Sequence, residues 1–254
     1  MPEDVNAVNL SGKTAIVTGA SRGVGKAISL ALAQAGANVV VVARTVDDSN
    51  TLSGTIHQTV TEIENLGGVA LPVRCDVTGE DEVRKMVETV VNSYGTIDIL
   101  VNNAGIFRPL NFMETTMTDF LDTFLINVQS PFICTQAVLP LMLAQKSGSI
   151  INVSSSLAES EHPVYSAYAG SKAALNRMMI KLASEVAEAN IAVNVLKPGG
   201  MSSEGMIAIA TDEALSRMPS PETMGPPTVW LAAQDAGSYT GKLVAPIDFG
   251  TKWP

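Results

Sequence analysis

Short runs of β-branched residues return along the 254-residue chain, separated by longer amphipathic stretches, and this alternation restricts the fold more than any other feature. Thr14–Thr18, Asn38–Ala43, Val69–Arg74, Ile97–Val101, Ser149–Ser154, Ala192–Leu196 and Leu243–Ile247 read as strands. Helical segments fall between them, the longest over Thr115–Leu143 and Ala167–Ala189. The alternation predicts a doubly wound parallel α/β sheet of seven strands with helices on both faces, in a single domain spanning 1–254. A hydrophobic content of 46% against 16% charged residues suits strands covered on both sides. After Pro198 the pattern loosens: Gly199 and Gly200 precede Met201–Arg217, and a proline-dense stretch runs from Pro219 to Pro227. The segment 199–227 is therefore expected to be a mobile insertion over the site.

The first strand runs into T-G-A-S-R-G-V-G, placing Gly19, Gly23 and Gly25 just ahead of a helix that begins near Val24. Glycines there let the backbone turn tightly and approach a pyrophosphate, whose charge the free amides of a helix N-terminus stabilise. Taken alone, the triplet also fits an ordinary strand-to-helix turn. Its place at the first strand-helix junction favours a dinucleotide, with Ser21 and Arg22 inside the loop. The second strand ends Val42-Ala43-Arg44-Thr45, without the acid that usually holds NAD ribose hydroxyls. Arg44 and Arg22 can clamp a 2′-phosphate and Thr45 can donate a hydroxyl, so NADP is expected over NAD. Asp47 and Asp48 follow closely and dilute that preference, and solvated surface arginines are the alternative.

Tyr168 and Lys172 are four residues apart in Y-A-G-S-K, with Ser155 thirteen residues upstream of the tyrosine. On a helix this spacing places both side chains on one face, about 6 Å apart along the axis. A phenol ionises near pH ~10, and a neighbouring cation favours its anion, so the pair suits proton transfer. Tyr165 is followed four residues later by Ala169 and lacks this partner.

Together these motifs resemble the short-chain dehydrogenase/reductase family, in its single-domain branch with a Rossmann fold. Cys75-Asp76-Val77, Asn102-Asn103-Ala104-Gly105, Asn127 in I-N-V-Q-S, Ser155 in N-V-S-S-S and Pro198-Gly199 carry the resemblance further along the chain. T-L-S-G-T-I-H-Q-T-V-T-E-I-E looks like an insertion found in a hydroxysteroid-dehydrogenase-like subgroup. The resemblance implies hydride transfer between NADP(H) and a carbonyl or secondary alcohol. Tyr168 would be the acid/base, Ser155 would polarise the carbonyl, and Lys172 would hold the nicotinamide ribose while lowering the phenol pKa. Asn127 would anchor a proton-relaying water. Gly19, Ser21, Arg22, Gly23, Val24 and Gly25 would cradle the phosphates. Asp76 and Val77 would meet the adenine, and Asn103, Ala104, Gly105, Pro198 and Gly199 would flank the cofactor. A capping or turn role for Asn103 stays open. Two departures stand out: Gly200-Met201-Ser202-Ser203 replaces the usual carboxamide-binding threonine, with Ser202 or Ser203 as substitutes, and Ile247-Asp248-Phe249-Gly250 replaces V-D-G-G.

The substrate is expected to meet Glu159, Glu161 and His162 on one loop, and Met201, Met206 and Met218 on another. An adaptable methionine lid over a medium-sized carbonyl compound is one reading, with Glu159 or His162 at its polar end. Ordinary core packing of a Met-rich helix is the other. The net charge of −9 argues against nucleic acid and anionic membranes as partners. Cys75 and Cys134 fit reduced, buried packing. His57 and His162 have no ligand spacing around them, so no metal is expected. The first residues lack a secretory pattern, and no unbroken run of 18 apolar residues occurs, so a soluble cytoplasmic protein is expected. The apolar helices suggest a homo-oligomer, dimer or tetramer. A silent NADP-sensing regulator would not need Ser155, Tyr168 and Lys172 together. An epimerase or dehydratase would show a different glycine spacing and a longer C-terminal domain.

Overall fold

The computed structural model describes residues 8–47, 53–161, 163, 165–208 and 210–254; Asp48, Thr51, Leu52 and His162 lie outside the described residues. Seven parallel strands form one sheet: β1 (Thr14–Thr18), β2 (Asn38–Ala43), β3 (Val69–Arg74), β4 (Ile99–Asn102), β5 (Gly148–Val153), β6 (Ile191–Leu196) and β7 (Leu243–Val244). Their order is β3-β2-β1-β4-β5-β6-β7. β1, β4, β5 and β6 are buried at every position, as strands covered on both faces are, and among their polar members Thr18, Asn102, Asn152 and Asn194 form hydrogen bonds inside the domain. Pro72 falls in β3, at the sheet edge, where one missing ladder donor is tolerated.

The chain returns through α1 (Gly23–Gln34), α2 (Ile56–Asn65), α3 (Glu80–Tyr94), α4 (Met117–Phe124), α5 (Ser130–Gln145), α6 (Ser166–Glu185), α7 (Glu204–Ile207), α8 (Asp212–Ser216) and α9 (Gly225–Ala232). One apolar layer joins Val17, Val39 and Val101 of the sheet to Ile28 and Leu32 of α1, Ile63 of α2 and Leu231 of α9. On the opposite face Ile16, Val40 and Leu100 meet Met86 of α3, Val138 of α5 and Met179 of α6. Reciprocal capping boxes start α2 and α4, through Thr55 with Gln58 and Thr116 with Asp119.

Apart from small shifts at the ends of β5, β6 and α6, three details depart from the sequence reading. β4 starts at Ile99 rather than Ile97, because Asp98 turns its carboxylate onto the Thr14 amide and Lys13. β7 stops at Val244, since Pro246 opens a 3₁₀ turn over Pro246–Asp248. The long helix expected over Thr115–Leu143 is α4 and α5 joined by a π-helical turn, Leu125–Gln129. That run is long and apolar enough to cross a bilayer by length and composition, yet its buried Asn127 and Thr135 bond to groups in the domain. Within 199–227 the described residues form α7, α8 and a 3₁₀ turn, Pro221–Met224.

The order of strands reverses between β1 and β4. Their carboxyl ends diverge there into opposite crossovers and leave a crevice, the place where such sheets bind ligands.

Candidate active site

At the crevice Thr18 ties β1 to β4: its hydroxyl donates to the Val101 carbonyl and accepts from the amides of Asn103 and Ala104. Asn103 reaches back, its Nδ2 donating to the carbonyls of Thr18 and Gly19. The turn so formed has no room for side chains. A Cβ on Gly19, whose φ is +65°, would lie 2.9 Å from Ala104 Cα; one on Gly25 would lie 2.3 Å from the Gly19 carbonyl oxygen. Arg22 precedes α1 without capping it by its side chain. The first amides of α1 therefore face the crevice beside a flat backbone surface, which fits a pyrophosphate.

The outer half of the crevice is lined by Ser21, Arg22, Arg44, Thr45, Asp76, Val77 and Ala104. Burial would raise the Asp76 carboxyl, but two bonds from Thr78 and the nearby Arg44 hold it below its ordinary value. Arg44 is largely exposed and sits 3.6 Å from Asp76, a loose pairing that leaves its guanidinium movable. Asp47 is exposed. Arg22 is held differently: its Nη2 donates to the Gly54 carbonyl at 2.7 Å, and its buried Nε has no partner. Gly54 has φ +107°, and a Cβ there would lie 2.5 Å from the Ser21 carbonyl oxygen. With Thr59 donating to the Ala20 carbonyl, the segment leading into α2 is strapped onto the glycine turn. Sequence spacing gave no sign of this strap.

The inner half holds Ser155, Tyr168, Lys172, Pro198 and Gly199, with Val24, Asn103 and Gly105 along its side. Lys172 is buried, donates to the Val153 carbonyl at 2.9 Å, and lies 5.9 Å from the centre of the Tyr168 ring. Burial pulls its ammonium down to about 8. Burial also raises the Tyr168 phenol above its ordinary value, while a hydrogen bond from Ser155 works against that rise. The Ser155 oxygen accepts from the Leu157 amide, which leaves its proton to point at Tyr168. Of its neighbours, Ser154 lines the same cavity but is buried with its hydroxyl unpartnered, and the Ser156 amide donates to the Pro198 carbonyl.

The π-helical turn brings Asn127 to the same place. Its Oδ1 accepts from the Ile106 amide, and its Nδ2 donates to the Ile106 carbonyl and to Ser171. Both amide hydrogens are therefore engaged by the protein. One point, the Cβ position of Gly105, lies 3.1 Å from Asn127 Oδ1 and 3.4 Å from Lys172 Nζ, so a side chain there would separate the group.

At the mouth, Met201, Met206, Leu157, Phe107 and Ser203 line the cavity, while Met218 packs against Gly200 from behind. Ser202 is turned to the Pro219 carbonyl, which leaves Ser203 as the serine beside the site. Glu159 is paired with Lys197, and Glu161 is exposed. Phe249 packs against Trp253 in a C-terminal aromatic cluster and does not line the cavity. The sequence reading missed Thr18, Gly54, Ile106 and Phe107. For Thr18 the T-G that opens the turn was an available signal; for the others, position in the fold decides.

The family described as short chain dehydrogenase matches residues 13–214. A 3-oxoacyl-[acyl-carrier-protein] reductase of Thermotoga maritima is 36% identical over 251 residues, covering 96% of this chain and 99% of that protein. The 7alpha-hydroxysteroid dehydrogenase of Escherichia coli K12 is 33% identical over 246 residues, with 93% of each chain covered. A solved 7alpha-hydroxysteroid dehydrogenase, complexed with NADH and 7-oxo glycochenodeoxycholic acid, superposes with a TM-score of 0.86 at 31% identity, covering 96% of both chains. Likeness of this extent, in sequence and in fold together, places the chain in the short-chain dehydrogenase family, whose members are NAD(P)-dependent oxidoreductases.

Proposed function

We propose that the protein interconverts a ketone and a secondary alcohol with NADP(H), and that Tyr168 is its acid and base. The observation that carries this reading is the triangle in which Ser155 donates to the Tyr168 phenol while buried Lys172 lies against the same ring. The hydride would come from a nicotinamide held along the glycine turn, Asn103 and Pro198-Gly199. As hydride reaches the carbonyl carbon, the Tyr168 hydroxyl gives its proton to the carbonyl oxygen. The Ser155 hydroxyl turns to that oxygen while its charge develops. One hydride and one proton convert C=O to CH–OH, and oxidation reverses both transfers. Lys172 has two N–H groups beyond the one given to Val153, enough to bind ribose hydroxyls. Asn127, its side chain committed to Ile106 and Ser171, fixes the wall behind Lys172; a relaying water would then rest on its backbone.

The lack of a carboxylate at the end of β2, the movable Arg44 and the fixed Arg22 support NADP over NAD. Ser203 takes the place of the carboxamide-binding threonine. The segment 199–227, including Met201 and Met206, acts as the mobile cover of the substrate. Exposed Phe120, Leu121 and Phe132 beside Met178 form an apolar face that a second copy of the chain would cover, in a soluble cytoplasmic homo-oligomer. The test is NADPH absorbance against a ketone panel, repeated with NADH: carbonyl-dependent loss of NADPH, slower with NADH, is expected. A failure to consume either cofactor with any ketone contradicts the reading.

A further inference from the structure

Phe107 is the residue next to the site that no motif accounts for. Its ring stands edge-on to Tyr168, with centroids 4.9 Å apart at 79°, and edge-on to Tyr165, 5.1 Å apart at 82°. The loop that carries it is fixed on both sides. Ile106, before it, exchanges two hydrogen bonds with the side chain of Asn127. Arg108, after it, is paired with Asp119 and Asp122 of α4. Tyr165 is fixed as well, at φ +69° immediately before α6. Phe107 is thus a rigid plate, backed by one tyrosine and pressed on the other, with its exposed side on the cavity shared by Leu157, Met201 and Met206.

The charges around this wall are already matched. Arg108 is held by two aspartates, Lys197 by Glu159, and Lys172 is turned to Val153. Among the described residues lining the cavity, Lys172 is the one cation, and it belongs to the reaction center. A substrate anion beside the reacting carbonyl would lose its hydration here without gaining a partner, whereas hydrocarbon would gain apolar contact.

We propose that Phe107 is a specificity-determining residue that positions Tyr168 and selects bulky, uncharged ketones, disfavouring those with a carboxylate next to the carbonyl. The proposal rests on the reading of Tyr168 as acid and base. Aromatic edge contacts of this kind restrain ring orientation, and the plate also keeps water from the phenol.

The test compares the unaltered protein with Phe107→Ala and Phe107→Leu, using NADPH with 2-decalone, cyclohexanone and pyruvate. The unaltered protein should reduce 2-decalone with kcat/KM at least a hundredfold above pyruvate. Phe107→Ala should lose at least tenfold on 2-decalone and far less on cyclohexanone, with NADPH affinity unchanged. Phe107→Leu should recover KM for 2-decalone, since the apolar wall returns, but not kcat, since the edge contact does not. A second readout needs no turnover: ultraviolet titration of the Tyr168 phenol, assigned by its absence in Tyr168→Phe, should move to lower pH in Phe107→Ala as water enters. Pyruvate reduced as well as 2-decalone, or an unmoved phenol titration, overturns the proposal. If Tyr168→Phe is inactive but Phe107→Ala behaves like the unaltered protein, the reaction stands and this inference falls. If no ketone is reduced, the reaction fails, and the phenol titration alone decides whether Phe107 governs Tyr168.

Discussion

Lys172 Nζ donates to the Val153 carbonyl at 2.9 Å, joining the helix that carries Tyr168 to the strand that delivers Ser155. The bond holds a buried amine whose ammonium is brought from 10.5 to about 8. Between those values the unfolded chain keeps a proton that the folded protein has released. This group therefore disfavours folding fully below about pH 8, and the penalty fades as pH rises toward 10.5. Cys75 and Cys134, raised to about 12 by burial, act in the opposite sense above about pH 9. Comparison with Lys172→Met cancels their effect. The shift is worth about 3 kcal/mol, and losing the bond to Val153 offsets about 1 kcal/mol. Cofactor-free Lys172→Met should melt about 5 °C higher at pH 7. The gap should narrow toward pH 10.5, and turnover should be lost. Calorimetry at several pH values checks this, and equal or lower stability at pH 7 contradicts it.

The raised Tyr168 phenol sets opposite pH profiles for the two directions. With Tyr168 in the proposed role of acid and base, alcohol oxidation would need the phenolate, so kcat should climb with pH, approaching about tenfold per unit, until the phenol ionises. Ketone reduction needs the protonated form and should stay level, falling only in the alkaline range. A flat oxidation profile would show that another group takes the proton.

Gly25 gives the sharpest steric prediction. An alanine Cβ would meet the Gly19 carbonyl at 2.3 Å and Asn103 Nδ2 at 2.4 Å, so the turn must open. Gly25→Ala should cost about 2 to 3 kcal/mol of stability and weaken NADPH binding more than tenfold. Gly205→Ala, where no atom lies within 4 Å, is the control, and should stay within about 0.5 kcal/mol of the unaltered protein. Denaturant titration and fluorescence binding separate the two, and similar behaviour would count against the tight turn.

Arg44→Asp places an acid where NAD-selective sites have one and removes a cation. Arg44 is exposed and loosely paired, so stability should change by less than about 1 kcal/mol. The ratio of kcat/KM for NADPH over NADH should fall by a hundredfold or more. A ratio that does not move would remove Arg44 from cofactor selection.

Much of the fold was legible because local and global signals agree. The first three strands have the bounds expected of them, since each β-branched run is closed by glycine or a polar turn. The motifs also converge in space: Tyr168, Lys172 and Ser155 share one cavity, and Gly19, Gly25 and Asn103 build one turn. What sequence could not show depends on distant partners. The strap from Arg22 to Gly54 joins residues on different crossovers, and the π-helical turn at Asn127 leaves no compositional mark. Phe107 reads as a loop residue until α6 brings Tyr165 and Tyr168 to either side of it. β7 was over-extended because the apolar run masked the effect of Pro246.

The most direct measurement is NADPH turnover and NADPH binding in Tyr168→Phe, which removes one hydroxyl from a ring held by Phe107 and Lys172. Binding should stay within about twofold while kcat falls by a thousandfold or more, equivalent to about 4 kcal/mol of transition-state stabilisation. Turnover within tenfold of the unaltered protein, with binding intact, would contradict the role assigned to Tyr168.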